Sequence, residues 1–313
     1  MTTSTDNALD LAALLTQVDD ATAAELASKP EVDTNWTGDL DVAKLPIVVR
    51  KWVEVPDVVA VVADMKNSTK MGTGKHAAST ASIYQASTGG VVTILNKFEA
   101  DFIQIQGDGA FALYWGERRY QRALCAAVTV QSFGGKMAKR LEEKWPDAPE
   151  TGLKVGVASS RILVKRIGTP RNPAEQEPVW AGKAVNYAAK AAQGAERHQL
   201  IVTGSVWDAI EGIDYLTTTC GCPGGKYVQL WTDVLIDRLP EGDPDAQGRM
   251  LGASWCDQHG DEFCNAILAG KKTRPEVADQ RAKALASQRQ TVLRTAAQKQ
   301  RLERLAHRRG LAR

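Results

Sequence analysis

The sequence predicts an α+β fold, and three observations support this prediction. A continuous run of β-branched and small apolar residues, VVAVVAD at residues 58–64, is typical of a buried strand. Segments of helical pattern alternate with segments of strand pattern. The segment FIQIQGDGAFALYWG, residues 102–116, predicts two short strands around an Asp-Gly turn. The elements follow the order β-α-β-β-α-β, which is the split βαβ, or ferredoxin-like, pattern.

The remaining elements of this pattern follow in chain order. A helical pattern runs from about residue 76 to 97 and is interrupted by a Gly-Gly pair, and a second spans roughly residues 118–144. The segment LKVGVASSRILVKRIG, residues 153–168, predicts a further pair of strands. The segment GKAVNYAAKAAQ, residues 182–193, predicts a short helix.

The amino-acid composition indicates which class of protein to expect. With 43% hydrophobic and 24% charged residues, the chain resembles an ordinary globular protein with one sizeable core and a smaller appendage. It has no run of about 18 apolar residues, and its start lacks the basic and apolar segments of an export signal. We therefore expect a cytoplasmic protein. The net charge of +2 does not predict a nucleic-acid binder.

We expect three parts along the chain. Residues 1–45 form an acidic segment with one amphipathic helix, and residues 46–233 form the main α+β domain. Residues 234–313 form a small Cys- and His-containing extension that ends in a basic helix. The basic helix could contact nucleic acid, but we favour a solvated helix that packs on its own dimer.

Two aspartates fall at one edge of the predicted sheet. Asp64 ends the buried strand, and Asp108 lies in the turn of the neighbouring hairpin. Two carboxylates so placed repel each other unless a cation lies between them, and oxygen ligands suit Mg²⁺ or Mn²⁺. The backbone N–H groups after Asp64 lead into a helix and could cradle a polyphosphate. The residues of this predicted phosphate cradle are Lys66, Asn67, Ser68 and Thr69. The alternative is a strand-end and a turn aspartate without a metal.

Three segments resemble the signature segments of class III nucleotide cyclases, the adenylate and guanylate cyclase family. They are VVADMKNST, IQGDGAF and WAGKAVNYAAKAA, in the family's order and at roughly its separations. The resemblance covers about residues 55–233. It implies a ferredoxin-like class III cyclase catalytic domain that works as a head-to-tail homodimer with shared active sites. It also implies that Asp64 and Asp108 hold two divalent metals, with the backbone carbonyl of Met65 as a further ligand.

The resemblance also implies two catalytic residues that reach over from the other subunit. In the family an Asn and an Arg, one helical turn apart, orient the ribose and stabilise the transition state, and Asn186 and Lys190 match these positions. Lys190 departs from the usual Arg, and a Lys is a point charge rather than a bidentate fork, so its contact with the α-phosphate would be less directional. Without the neighbouring motifs, Asn186 would be a local helix contact and Lys190 a solvated lysine.

Two positions read the base in purine cyclases, and they correspond here to Gln104 and Val179. Neither carries a purine-reading residue, because Gln104 can both donate and accept and Val179 has no polar group. The loss of both readers argues against ATP and GTP, so we expect a pyrimidine nucleotide. These departures resemble the pyrimidine cyclases of Pycsar anti-phage defence, which act with a separate effector that senses the cyclic nucleotide.

The expected activity is the conversion of UTP to 3′,5′-cyclic UMP and diphosphate with Mn²⁺ or Mg²⁺. A cytidylate cyclase that uses CTP and an adenylate or guanylate cyclase are the enzymatic alternatives, and UTP is preferred over CTP on family frequency alone. An inactive nucleotide-binding module is the non-enzymatic alternative, although both metal aspartates are present. The expected partners are UTP, a second copy of the chain and a cyclic-nucleotide-activated effector, without membrane or nucleic acid.

Four of the five cysteines and one histidine gather in the C-terminal part of the chain. Thiolate and imidazole are zinc ligands, and structural Zn²⁺ sites take four of them. The spacing is not that of a standard zinc finger, so several sets of four remain open, as do free thiols. The candidates are Cys220, Cys222, Cys256, His259 and Cys264. The remaining Cys125 lies on an apolar helix face, where we expect a core residue.

Overall fold

A computed structural model of the chain describes residues 9–73 and 75–308, with side chains described as far as residue 303. The strands are β1 (Glu31–Asp33), β2 (Lys51–Lys66), β3 (Phe102–Gln106), β4 (Gly109–Tyr114), β5 (Gly152–Gly168), β6 (Gln176–Gly182), β7 (Leu200–Val202), β8 (Trp231–Leu235) and β9 (Gln247–Leu251). The helices are α1 (Leu11–Leu26), α2 (Ser68–Gly72), α3 (Ala77–Lys97), α4 (Arg119–Lys144), α5 (Lys183–Gly194), α6 (Gly204–Ile210), α7 (Asp214–Thr217), α8 (Gly260–Leu268) and α9 (Pro275–Arg308).

The predicted order β-α-β-β-α-β is confirmed, because it corresponds to β2, α3, β3, β4, α4 and β5. The hairpin turn lies between β3 and β4, where the Asp-Gly pair predicts it. Each helix within the described part of the chain is too short or too polar to cross a membrane. The fold is therefore a mixed α+β fold in which the Asp-Gly hairpin forms one end of the strand order.

Two local predictions differ from the structure. The sequence predicts two strands at residues 153–168, but the structure has the single strand β5. The chain stays extended through Ser160, and buried residues of the strand lie on both sides of it. The Ser160 hydroxyl accepts a hydrogen bond from the backbone N–H of Ala184 at 2.9 Å. The glycine pair does not interrupt α3 either. A Cβ on Gly90 would lie 2.3 Å from the ring of Phe133, so this glycine makes room for α4.

The described chain divides into two compact units. The first combines the chain up to residue 56 with residues 162–181, and the second contains residues 57–161 and the chain from residue 182 onward. In the first unit β1 pairs in parallel with the start of β2, and Arg50 forms an ion pair with Glu25 of α1 at 2.7 Å. The domain limits at residues 45 and 233 stay a prediction.

The sheet has the strand order β3-β4-β2-β5-β7-β9-β8, and the central part of β2 lies in the second unit. The residues from Val58 to Val61 have no exposed surface, as the apolar run predicts. Val59, Val61 and Ala63 contribute one face of β2 to the main core, together with residues of α3 and α4. Alternate residues of one strand share a face, so the same pleat fixes the direction of the residues at the end of β2.

Helix α5 lies directly on β5. A Cβ on Gly156 would lie 2.0 Å from the carbonyl oxygen of Ala188 and 2.4 Å from the backbone nitrogen of Ala192. No side chain fits in this gap, and the buried face of α5 consists largely of alanines. The close contact fixes the helix that carries Asn186.

Two glycine substitutions test these contacts. Gly135 lies in α4, and a Cβ added there would have no other atom within 4 Å, so Gly135→Ala should raise the free energy of unfolding by about 0.5–1 kcal/mol through helix propensity. Gly156→Ala should lower it by about 1–3 kcal/mol, because the new methyl group overlaps the backbone of α5. Urea unfolding followed by circular dichroism measures both values. Equal stability of the two variants would contradict the direct contact between α5 and β5.

Candidate active site

The two aspartates lie at neighbouring positions of one sheet edge. The register of β2 and β4 places Ala63 opposite Ala110. A Cβ on Gly109 would lie 2.3 Å from the carbonyl oxygen of Ala63 and 3.3 Å from the Cα of Asp64. Gly109, the first residue of β4, therefore lies against the end of β2. This contact brings the preceding residue, Asp108, beside Asp64.

The two carboxylates differ in their partners. Asp64 forms an ion pair with Lys154 Nζ at 2.8 Å, and the Asp64 side chain is 38% exposed. Asp108 is half-buried and has no hydrogen bond or ion pair with another residue in the described part of the chain. Lys154 is a residue that the sequence analysis missed. Its pairing joins β5 to β2, two strands far apart in the sequence, so no local pattern could have identified it.

The first residues after Asp64 are held by other loops. Met65 is 2% exposed, so its side chain belongs to the core while its carbonyl lies at the strand end. The carbonyl of Lys66 accepts a hydrogen bond from Thr151 Oγ1 at 2.7 Å, and the Lys66 ammonium pairs with Glu196. These contacts fix the end of β2, and the Lys66 ammonium is engaged with a carboxylate.

Asn67 turns the chain into α2. Its φ of 59° is in the left-handed region, and its side-chain amide donates to the carbonyl of Glu150 at 2.8 Å. The first backbone bond of the helix runs from Met71 N to Asn67 O at 3.0 Å. The N–H groups of Ser68, Thr69 and the next residue consequently have no acceptor within the helix. Backbone donors thus lie a few residues after Asp64, as the phosphate-cradle hypothesis requires.

The helix α5 carries the two residues matched to the catalytic Asn and Arg. Asn186 is exposed and donates to the carbonyl of Gly182 at 3.3 Å, and the Lys190 ammonium lies 5.9 Å from the ring centroid of Tyr187. Residues four apart share one face of a helix. Within the described chain, no hydrogen bond or ion pair joins either residue to the two aspartates. The structure therefore does not bring the two halves of the predicted site together within one chain.

A polar anchor fixes α5 in place. Tyr187 donates to Asp243 Oδ2 at 2.6 Å, and the Lys183 ammonium contacts the same oxygen at 3.0 Å. The hydrogen bond from Tyr187, followed by that from Lys183, lowers the pKa of Asp243 to about 2. The sequence analysis missed this anchor, because its two ends lie 56 residues apart.

The two predicted base-reading positions lie in different units. Gln104 lies in β3 of the second unit, opposite Phe111 and partly exposed. Val179 lies in β6 of the first unit and is 39% exposed. Their role in base recognition stays a prediction.

Four of the five predicted zinc ligands lie together. The ligand atoms of Cys220, Cys222, Cys256 and His259 are all within 4.8 Å of one another. Cys264 lies outside this group, and the thiol of the buried Cys125 contacts its carbonyl oxygen at 3.9 Å. Burial of Cys125 in the core is confirmed. Of the sets of four that the sequence leaves open, the structure groups the one without Cys264, whose side chain instead interacts with the thiol of Cys125 in α4.

Comparison with known proteins decides the family. No protein-family model matches the chain. A protein named uridylate cyclase from Micromonospora echinofusca is 54% identical over 304 residues, which cover 97% of this chain and 99% of that protein. The chain belongs to the uridylate cyclase family. A second protein with the name uridylate cyclase, from Propioniciclava tarda, is 49% identical over 271 residues, or 86% of this chain and 87% of that protein.

Solved structures similar to this family member are cyclase domains. The adenylyl cyclase CyaB from P. aeruginosa has a TM-score of 0.49 at 13% identity, over 65% of this chain and 96% of that chain. The guanylyl cyclase Cya2 has a TM-score of 0.49 at 14% identity, over 65% of this chain and 94% of that chain.

The contacts of Tyr187 and Lys183 with Asp243, which anchor α5, make the stability of the fold depend on pH. The pKa of Asp243 is lowered from 3.8 to about 2 in the folded protein, so its contribution to stability is complete above about pH 4 and is lost as the pH falls towards 2. Asp243→Asn should therefore lower the urea midpoint by the same amount at pH 8 and pH 6, and the difference from the wild type should shrink below pH 4. Asp237, which is exposed, provides the control Asp237→Asn, for which we expect no change. A difference that persists unchanged at pH 3 would contradict the assignment.

Proposed function

We propose that this chain converts UTP to 3′,5′-cyclic UMP and diphosphate. The observation that carries the proposal is the identity of 54% with a protein named uridylate cyclase, over nearly the full length of both chains. Both aspartates matched to metal ligands are present at one sheet edge. In the proposed reaction the ribose 3′-oxygen bonds to the α-phosphorus, the bond to the bridging oxygen of the β-phosphate breaks, diphosphate leaves, and the hydroxyl proton goes to solvent.

The residues at the sheet edge fit the divalent ions proposed for this reaction. Asp64 and Asp108 supply carboxylate oxygens and Met65 supplies a backbone carbonyl, which are the donors that Mg²⁺ and Mn²⁺ prefer. Lys154 compensates one of the two negative charges, so the pair keeps a net negative charge that attracts a cation. When bound, two such ions would lower the pKa of the ribose 3′-hydroxyl and neutralise charge on the departing diphosphate.

We propose that a homodimer completes the site. Asn186 is exposed and Lys190 is half-buried on the same face of α5, and neither has a bond to the aspartates of its own chain in the described residues. In a head-to-tail dimer, Asn186 of one subunit would orient the ribose bound by the other. Lys190 would place its ammonium on the α-phosphate, where charge accumulates in the transition state. The backbone N–H groups at residues 68–70 would bind the polyphosphate.

The base preference rests on Gln104, on Val179 and on the names of the relatives. The amide of Gln104 can donate to O4 of uracil and accept from its N3–H, and it serves cytosine equally well in the flipped orientation. Val179 offers no polar partner to a purine base. The names of the two relatives favour UTP.

We further propose that the product acts as a second messenger. In this proposal a separate effector senses cyclic UMP, and the pair serves in anti-phage defence of the Pycsar type in the cytoplasm. Support comes from the replacement of both purine-reading residues and from the relationship to the uridylate cyclase family. Cell survival during phage infection, with the wild-type chain and with Asp108→Ala, would test this role.

The reaction is tested by incubating the purified chain with UTP, CTP, ATP and GTP in Mn²⁺ and identifying the products by mass spectrometry. We expect cyclic UMP as the main product. Asp108→Ala should lower the rate at least about a hundredfold without changing the fold, because it removes a metal ligand at a turn rather than core volume. Asp147→Ala removes an exposed aspartate and serves as the matched control. Cyclic AMP as the main product, or full activity of Asp108→Ala, would overturn the proposal.

The role of Lys154 gives a separate prediction. Without its ammonium the two carboxylates are less compensated, so binding of a cation gains more free energy. Lys154→Gln should lower the Mn²⁺ concentration for half-maximal activity by about two- to fivefold, in line with a partly exposed ion pair. Lys139→Gln, at an exposed position of α4, should leave this concentration unchanged. If Lys154→Gln instead raises the KM for UTP at saturating metal, then Lys154 contacts the triphosphate rather than balancing Asp64.

A further inference from the structure

The group formed by Cys220, Cys222, Cys256 and His259, called the thiol cluster below, lies outside the proposed active site. Cys220 and Cys222 belong to the loop between α7 and β8, Cys256 to the loop between β9 and α8, and His259 is the N-cap residue of α8. The chain thus brings together two loops that are more than 30 residues apart in sequence. All five cysteines of the chain are free thiols.

The distances within the thiol cluster match those of a zinc site. With Zn–S of about 2.3 Å and Zn–N of about 2.0–2.1 Å, a tetrahedral site separates sulfur from nitrogen by about 3.6 Å. His259 Nδ1 lies 3.3 Å from Cys222 Sγ and 3.8 Å from Cys256 Sγ. All four ligand atoms lie within 4.8 Å of one another, so small side-chain shifts around one ion would complete the tetrahedron.

We propose that the thiol cluster binds one structural Zn²⁺ that ties the loop before β8 to the start of α8. Three thiolates and one imidazole form a soft donor set, which selects Zn²⁺ over the hard ions proposed for the carboxylates. Four protein ligands leave no open position for a substrate or a reactive water, so the site is structural rather than catalytic. Cys222 is exposed and the other three ligands are half-buried, so a chelator can reach the ion.

The surroundings indicate what this zinc would stabilise. The side chain of Arg274 is 2% exposed and donates to the carbonyls of Thr218 at 3.1 Å and Thr219 at 2.8 Å, immediately before Cys220. The same guanidinium lies 4.5 Å from the ring centroid of Phe263 in α8. Arg274 also directly precedes Pro275, the first residue of α9. The thiol cluster, α8 and the base of α9 therefore share one continuous set of contacts.

The thiol cluster also lines a cavity next to the core. Cys220, Cys222 and Cys256, together with apolar side chains such as Leu216 and Leu230, line a cavity of about 160 Å³. Two contacts of the Cys222 thiol join the two loops directly, because its Sγ lies 3.2 Å from Gln258 Oε1 and 3.3 Å from His259 Nδ1. Loss of zinc should therefore loosen the two loops that line this cavity and lower the stability of the second unit.

The test is the zinc content of the full-length chain, purified without chelators from cells grown with zinc and measured by inductively coupled plasma mass spectrometry. We expect about one zinc per chain in the wild type. His259→Ala should lose the ion, whereas His259→Cys, which restores a fourth ligand, should keep it. Cys264→Ser is the matched control, because Cys264 is a cysteine of the same region that lies outside the thiol cluster, and it should also keep one zinc.

Two further measurements separate this proposal from misfolding and from the proposed cyclase activity. A strong chelator should lower the Tm of the wild type and of Cys264→Ser, and added zinc should restore it. Asp108→Ala should retain its zinc, since the carboxylate pair is a different site. A wild-type chain with no more zinc than a zinc-free control protein, or equal zinc content in His259→Ala and Cys264→Ser, would overturn the proposal whether or not the chain produces cyclic UMP.

Discussion

The approach of the hairpin backbone to the end of β2 is the contact on which the proposed active site depends. At Gly109 a Cβ would lie 2.3 Å from the carbonyl oxygen of Ala63, so any other residue would push the strands apart. Because the backbones meet here, two carboxylates occupy the same sheet edge in spite of their mutual repulsion. The neighbouring strand β5 supplies the lysine that balances one of them. Backbone geometry thus sets the position of the site, and the ammonium of Lys154 lowers its net negative charge.

A second close backbone contact fixes the other half of the proposed site. Gly156 lets α5 lie on β5, and the anchor at Asp243 holds the first turns of this helix. A side chain that must reach a nucleotide bound by another subunit gains from a rigid support, because small displacements cost catalytic efficiency. The exposed position of Asn186 beside a tightly anchored Tyr187 is consistent with this role. Both halves of the site therefore depend on a glycine where one backbone packs against another.

The sequence predicts the elements of the fold well because their signals are local. The apolar run of β2, the Asp-Gly turn and the helical periods each require only a few neighbouring residues. Sequence patterns do not predict the contacts that join distant segments of the chain. The pairing of Lys154 with Asp64 and of Tyr187 with Asp243 has no local signal, and the choice among five zinc candidates needed the direction in which α8 turns Cys264. The single strand β5 replaces the predicted pair of strands, because the polar residues at its middle carry no turn signal strong enough to end a strand that is buried on both sides of them.

The two proposed metal sites differ in their ligand atoms, and this difference allows each site to bind a different ion. Zinc binds most donor sets more tightly than Mn²⁺ or Mg²⁺ does, so a carboxylate pair by itself does not reject zinc. The thiol cluster offers three sulfurs and an imidazole, which hold zinc far more tightly than two carboxylates and a carbonyl. When zinc is limiting and a hard ion is in excess, the soft site should fill with zinc first and the oxygen site should stay available to the hard ion. A chain that carries both sites can therefore be stabilised by one metal and activated by another at the same time.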